Sequence, residues 1–549
     1  MLKYSVPTED EGTTRRELLT RLAAVALALP GERVGRTKAA KMPTGASARV
    51  VDPELERAYQ VRLDAARQAR DLGRTAHRAN GDEQGPVGRL ASFSKALPHD
   101  PQGRVDNKAY DVLFRALASG APGDFENVPL GGFARLANPQ AGWSLGLVGP
   151  APVQLSCPPA PTLASAEQAG ELVELYWQAL LRDVPFAQYG DHPLAREAAA
   201  DLSRLSDFRG PLESGAVTAE TLFRGSQPGD VSGPYISQFL LKPVPYLPTI
   251  IDQKIRTVVP EVDYLLDLPE WSKIQNGALA GVNRFDPQAR YLRNGRDLGE
   301  YVHRDFSYQP YLSACLMALK WGTPPDGGNP YKHSRTQSAF STFGPPYLLA
   351  LLAIVTQSAL AACWYQKWRV HRRLRPEELA GRWEASRRID GAPALPIHGD
   401  LESSSAVAEI RRAHAESSLL PQAYPEGCPI HPSYPSGHAA IAGACVTALK
   451  AVLDERHIVP EPAEAASDGT SLIPYKGREL AVGEELDKLA SNISLGRGFA
   501  GIHWRSDTSA GLFLGEEVAL RTLAEMKGTG NELFQSYALR RFDGRRVEV

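Results

Sequence analysis

Apolar residues recur at helical spacing through most of the chain, while runs alternating apolar with polar residues are few and short. That pattern predicts a mainly α protein built as helical bundles. Pro53–Leu72 reads as a strongly charged helix for a surface or a subunit contact. A second helix should start at Ser165, which stands three residues before Gln168 at the spacing of a capping box. Residues 298–321 continue the helical period across Pro310, which predicts a kink there. Residues 347–365 are the most apolar stretch and predict a buried core helix running on to Arg375 and Pro376. Residues 439–454 and 508–526 predict the last two core helices.

Between these elements lie Gly- and Pro-rich connections over residues 80–160 and irregular segments over 205–285. Residues 377–430 read as an insertion rich in charge, Ser and Pro, and 455–480 as an exposed excursion. The organisation expected is a polar lead over residues 1–50, then one large helical domain over 51–549 with its chemistry in 298–526.

With 43% hydrophobic residues the chain can bury a large core, and a net charge of -2 provides no global field for nucleic acid or an anionic membrane. Any anion site must be local. The 5 cysteines contain no CxxC pair, so neither a zinc site nor a disulfide framework is implied. No run of about 20 uninterrupted apolar residues is present, because Thr356, Gln357 and Ser358 break the longest one. Near the amino terminus Thr14-Arg15-Arg16-Glu17 precedes LAAVALALP, which resembles a twin-arginine export signal. Arg21 interrupts it and the A-x-A-like Ala46-Ser47-Ala48 lies far downstream, so an amphipathic helix fits as well, and the location, cytoplasmic or exported, stays open.

Three segments gather cations and imidazoles in otherwise apolar surroundings. Lys367 and Arg375 are eight residues apart, about 800° of helical turn, which would set them within about 80° of each other on one helix. Pro432-Ser433-Tyr434-Pro435-Ser436-Gly437-His438 is a stiff turn that delivers a hydroxyl, a glycine amide and an imidazole at a helix start, where free N–H groups form an anion cradle. Gly496-Arg497-Gly498 reads as a pliable loop carrying Arg497, and beyond it His503 and Asp507 stand at i, i+4, a spacing at which the carboxylate fixes the imidazole tautomer. Together the segments supply Lys367, Arg375 and Arg497 as fixed charge, Ser436 and Gly437 as donors, and His438 and His503 on two sides of a trapped oxyanion.

The spacing K-W-x-V-H-R-x-x-R-P, then P-S-G-H, then S-x-G-R-x-x-x-x-x-H-x-x-x-D resembles the vanadium-dependent haloperoxidases, in particular their algal-type bromoperoxidase branch. The resemblance extends through SFSKALPHD, NPQAGW, LGEYVHRDFSYQPYL and the TQSAF-to-WYQKW stretch. It implies an enzyme that oxidises bromide and iodide with hydrogen peroxide to hypohalous acid, which halogenates small organic acceptors. It implies vanadate held by Lys367, Arg375, Ser436, Gly437 and Arg497, with His503 as the ligand to vanadium and His438 as the acid–base group. Trp364 and His431 should line the halide side, His431 tilting the choice towards bromide, and Asp305 should tether His438 or an active-site arginine. Some members also bind a structural calcium or magnesium ion, for which Asp326 is a candidate ligand. A homo-oligomer, dimer or larger, is implied. The broader three-part pattern is shared with type-2 phosphatidic acid phosphatases, so a phosphomonoesterase with His503 as nucleophile is the alternative.

Overall fold

The apolar periodicity translates into helices almost wherever it is sustained in a computed structural model that describes residues 52–549. The export-like segment of residues 14–30 and the 46–48 site lie outside the described residues. Contacts divide the chain into a unit ending at Gln60 and a unit Val61–Val549. Helix α1 (Pro53–Leu72) has no buried residue, as its charge pattern requires.

Within Val61–Val549 the frame consists of α2 (Ala166–Leu180), α3 (Gly295–Tyr301), α4 (Gln309–Lys320), α5 (Pro345–Tyr365), α6 (Pro376–Arg388), α7 (Gly437–Val452), α8 (Val482–Phe499) and α9 (Arg505–Met526). Strands are confined to short antiparallel pairs, such as Val244–Tyr246 with Thr249–Ile251 and Ile255–Val258 with Phe285–Arg290. Helix α7 is the axis of the core: every residue in it except His438 is buried. Its composition of Ala, Gly and small β-branched residues explains why. A Cβ added to Gly515 would stand 2.0 Å from the Ala440 carbonyl oxygen, one at Gly443 would stand 2.1 Å from that of Leu512, and one at Gly511 would stand 2.7 Å from that of Ser436. Backbone-to-backbone contact of α7 with α9 therefore depends on these glycines. Helix α5 covers another side of α7 with Leu348, Leu351, Leu352 and Val355. By length and composition Pro345–His371 could cross a membrane, but this buried side packs into the core.

Four expectations change. Residues 298–321 are two helices, because Pro310 stands in the first turn of α4, where a missing N–H costs nothing, and no kink forms. The core helix does not reach Arg375: α5 passes into a π-helical turn, Gln366–His371, and ends at Arg372 with φ +41°. The segment 377–430 opens with a buried helix, α6, whose Glu378 and Arg382 pair internally at 3.2 Å. Gly496 and Gly498 lie inside α8 rather than in a loop. Each is small because a neighbour presses on it: Leu298 and Val302 at 3.1 Å from a Cβ on Gly496, and the Gln178 Oε1 at 2.6 Å from one on Gly498. Ser165 caps α2 by accepting from the Gln168 N–H at 3.1 Å. The Gln168 side chain does not close the box, because its Oε1 accepts from Arg373 at 2.7 Å.

Candidate active site

The π-helical turn after α5 sets Lys367 facing inward, and the left-handed Arg372 lets the chain double back so that Arg375 follows as the N-cap of α6. Such turns recur at functional sites because the extra residue re-aims a side chain. Lys367 is fully buried, and its Nζ donates to the carbonyls of Pro432 at 2.8 Å and Ser433 at 2.7 Å. Burial, together with the charges of Arg375 and Arg497, pulls its pKa down to about 7. Arg375, also fully buried, spans two segments: Nε donates to the His431 carbonyl at 3.0 Å, Nη1 to the Ile502 carbonyl at 2.8 Å and to His503 Nε2 at 2.9 Å, and Nη2 to His431 Nδ1 at 2.9 Å. The two cations meet around residues 431–433 through the chain reversal, not through a shared helix face.

Ser436 is the N-cap of α7, its Oγ accepting from the Ala439 N–H at 3.4 Å. Gly437 opens the helix, with an amide that has no intrahelical acceptor. The Trp364 indole lies over it, so that a Cβ there would stand 3.2 Å from the ring. The turn is docked on the start of α9 by the Ser436 N–H, which donates to the Asp507 carbonyl at 2.9 Å. His438 follows, a quarter exposed, with Nε2 at 2.9 Å from Asp305 Oδ1. Burial and Arg497 lower its pKa against the pull of Asp305, while Asp305, pushed up by burial, is held low by His438 and Arg497.

His503 is enclosed from both ring nitrogens. Nδ1 lies 2.7 Å from Asp507 Oδ2, and Nε2 faces Arg375. An arginine only donates, so Nε2 is the acceptor and Nδ1 carries the hydrogen. Burial, then Arg375 and Lys367, hold its pKa well below the ordinary value, and His431 is lowered by the same causes. Asp507 is itself pinned: Oδ1 accepts from Arg373 at 2.9 Å, and Oδ2 accepts from the Trp504 N–H at 3.1 Å and from the Ser433 hydroxyl. Arg497, on the last turn of α8, donates Nη1 to the Val302 carbonyl at 2.6 Å, and its buried Nε has no partner among the described residues. His431 packs on Trp364 with ring centroids 5.0 Å apart, and the Trp364 Nε1 donates to the Ala137 carbonyl at 3.2 Å.

The donor set fits a compact polyanion. Three cations, a capping hydroxyl, a helix-start amide and a neutral imidazole nitrogen surround one locus, one buried N–H on Arg497 is unsatisfied, and two carboxylates stand behind the imidazoles. Such a donor set is chemically suited to holding an oxyanion and to moving protons beside it. Asp326 lies in a turn where its Oδ1 accepts from the Gly328 N–H at 2.8 Å. Among the described residues no group of three or more His, Cys, Asp or Glu is placed to hold a metal ion.

Two other anchors escape sequence reasoning. Arg373 joins Asp507 to Glu171 on α2, at 2.8 Å, and Ser433 closes on Asp507 from the central turn. Arg373 and Asp507 are 134 residues apart, so no local spacing could have paired them.

The family model described as the VCPO second helical-bundle domain matches residues 347–531, the span from α5 through α9. A vanadium-dependent bromoperoxidase of Ascophyllum nodosum is 35% identical over 492 residues, 85% of this chain and 87% of that protein. The chain belongs to the vanadium-dependent bromoperoxidases. A bromoperoxidase from Corallina pilulifera is 33% identical over 89% of this chain and 98% of its own length. The solved structure of a homohexameric vanadate-dependent bromoperoxidase from Ascophyllum nodosum superposes with a TM-score of 0.86 at 29% identity, over 98% of this chain and 96% of that one. The likeness to the bromoperoxidases therefore runs through the parts of the chain outside the helical-bundle model as well.

Proposed function

We propose that this bromoperoxidase oxidises bromide, and iodide, with hydrogen peroxide, using vanadate held by Lys367, Arg375, Ser436, Gly437, Arg497 and His503. The net reaction is H2O2 + Br− + H+ → HOBr + H2O, so one proton must be delivered in each turnover. The observation that carries the assignment is the different setting of the two imidazoles. His503 is buried with Nδ1–H on Asp507, which leaves the Nε2 lone pair, accepting from Arg375 at 2.9 Å in this structure, as the one a metal would take. His438 is partly exposed and paired with Asp305, the state an acid–base group needs.

Vanadate, when bound, supplies a Lewis-acidic centre that polarises hydrogen peroxide without itself changing oxidation state. The chain does the rest. Arg497, whose Nε has no partner among the described residues, and the one Arg375 N–H not already donated to the protein would hold oxyanion oxygens, and Ser436 and the Gly437 amide would add neutral donors. Lys367, with a pKa of about 7 in the ligand-free pocket, regains its proton beside an anion and can deliver it where oxygen leaves. His438 takes the peroxide proton and returns one to the departing oxygen, and Asp305 stabilises the imidazolium between these steps. Trp364 and His431 form the dry, aromatic wall where a polarisable halide approaches, which supports bromide as the substrate. The hypohalous acid released then halogenates a small organic acceptor.

The bundle resembles that of a homohexameric relative, and the exposed, charged α1 offers a surface for assembly, so the reading includes a homo-oligomer of two or more copies. Asp326, whose Oδ1 accepts from the Gly328 N–H at 2.8 Å, is the candidate ligand if a structural calcium or magnesium ion is bound. Bromination of monochlorodimedone with hydrogen peroxide and bromide, before and after orthovanadate and with phosphate as competitor, tests the function. Turnover that appears with vanadate and falls with phosphate is expected. Hydrolysis of p-nitrophenyl phosphate inhibited by vanadate, without halogenation, would replace the reading with the phosphatase one.

A further inference from the structure

Beside the cradle, and unused by the reaction above, lies a histidine gripped from both ring nitrogens by carboxylates. His303 Nε2 is 2.6 Å from Glu426 Oε1, and Nδ1 is 3.3 Å from Glu300 Oε2. The ring stacks on Tyr424 with centroids 3.7 Å apart and planes 6° from parallel. Its side chain is only 6% exposed. Asn283 donates to the same Glu300 oxygen at 3.4 Å. The residues on either side of His303 act on the cradle: the Val302 carbonyl holds Arg497 at 2.6 Å, and Asp305 holds His438 at 2.9 Å. Tyr424, the platform under His303, also lies 5.9 Å from the Arg497 guanidinium.

We propose that His303 is a positioning residue: as an imidazolium clamped between Glu300 and Glu426 it pins residues 302–305 against Arg497 and His438, and the pin loosens when the ring loses its proton. The inference rests on the reading of Arg497 and His438 as cradle and acid–base groups. Physically, only a cation with two donors satisfies both carboxylates at once. A neutral ring can donate to one of them, and the other is then left facing a lone pair. The outer carboxylate, Glu426, is 45% exposed, whereas that of Glu300 is 10% exposed and also accepts from Asn283. Burial pulls the His303 pKa down, but the hydrogen bonds and charges of Glu300 and Glu426 outweigh it and hold the pKa above its ordinary value. Other charges nearby are Arg304, which acts on Glu426, and the Lys95 ammonium, which donates to the Glu426 backbone carbonyl at 2.7 Å. Neither contacts the imidazole. The clamp therefore stays closed to higher pH than an unpaired histidine would allow, and opens as the ring loses its proton.

Equilibrium binding of orthovanadate to the full-length protein from about pH 6 to about pH 9, compared among wild type, His303→Gln and Glu426→Gln, decides the matter. Vanadate speciation is common to all three, so ratios of affinity isolate the protein. His303→Gln should bind about tenfold more weakly than wild type at the acidic end, where the charged clamp is lost, and the ratio should fall toward one as pH rises and the wild-type ring gives up its proton. Glu426→Gln should move that convergence to lower pH. A ratio independent of pH, or equal affinities throughout, overturns the proposal. Hydrogen exchange of the residue 302–305 amides in ligand-free protein gives a second readout: exchange should be faster in His303→Gln than in wild type at acidic pH and alike at alkaline pH. Equal exchange at all pH overturns the clamp even if vanadate binds. Failure of the wild type to bind vanadate would refute the functional reading and leave this exchange comparison to judge His303.

Discussion

Asp507→Asn isolates how much of the oxyanion site depends on a carboxylate that touches no substrate. Asp507 is fully buried and accepts from His503, the Trp504 N–H, Ser433 and Arg373. An asparagine keeps the shape but has one acceptor oxygen, and its NH2 must point either at Arg373 or at the His503 and Ser433 donors. Either choice sets donor against donor and removes the charge that balances Arg373. Breaking a buried ion pair by neutralising one partner costs about 3–5 kcal/mol of stability, and Glu171, still 2.8 Å from Arg373, keeps the loss toward the lower end. For the imidazole the loss is one charge-assisted hydrogen bond, about 1.5–3 kcal/mol. If that bond orients Nε2 and raises its basicity, vanadate affinity should fall about 10- to 100-fold, as for other groups that support a metal-ligating histidine. The assay pairs a vanadate titration at fixed pH with urea unfolding of the ligand-free protein. Affinity within about twofold of wild type, alongside the expected destabilisation, would refute the claim that Asp507 prepares His503 as a ligand.

Four further outcomes follow from the same geometry. His438→Ala should still bind vanadate yet lose most bromide oxidation, about 100-fold or more, whereas His503→Ala should fail to bind, and the reverse pattern in a binding and turnover comparison would exchange their roles. Lys367, with a ligand-free pKa of about 7, is largely uncharged above that pH, so binding of phosphate or vanadate there should take up a proton. Calorimetry in buffers of different ionisation enthalpy should find that uptake growing as pH rises through about 7 and shrinking in Lys367→Met. Since the depressed pKa reflects the cost of burying the charge, that cost to folding is full below about pH 7 and is relieved as pH rises toward the unfolded value. Gly515→Ala puts a Cβ 2.0 Å from the Ala440 oxygen, and separating α7 from α9 should cost about 1–3 kcal/mol or more, read as a lowered urea midpoint.

The helices were legible wherever a rule acts within one turn. Apolar spacing located α5, α7 and α9, charge pattern located α1, and Ser165 and Ser436 announced their helix starts because an N-cap bonds an amide two or three residues away. The His503 and Asp507 contact was legible for the same reason, being one helical turn long. Motif spacing was enough to name Lys367, Arg375, Ser436, Gly437, His438 and Arg497 as one group.

How that group converges was decided by the tertiary structure. Helical phase placed Lys367 and Arg375 on one face of one helix, but the energetics of the break at Arg372 depend on what surrounds it, including the Glu83 carboxylate that Arg372 meets across 289 residues. Glycines at 496 and 498 looked like a loop because backbone entropy disfavours them in helices, and only the packing of Leu298, Val302 and Gln178 against them makes glycine the residue that fits. Arg373 and Ser433 carry no local signature, since each works by closing a hydrogen bond onto a residue more than 70 positions away, and Asp305, 133 residues from His438, was named only through the family resemblance. A sequence states its short-range preferences in its spacing, whereas the burial, the withdrawal of water and the long-range ion pairs that tune these groups exist only once the chain has closed upon itself.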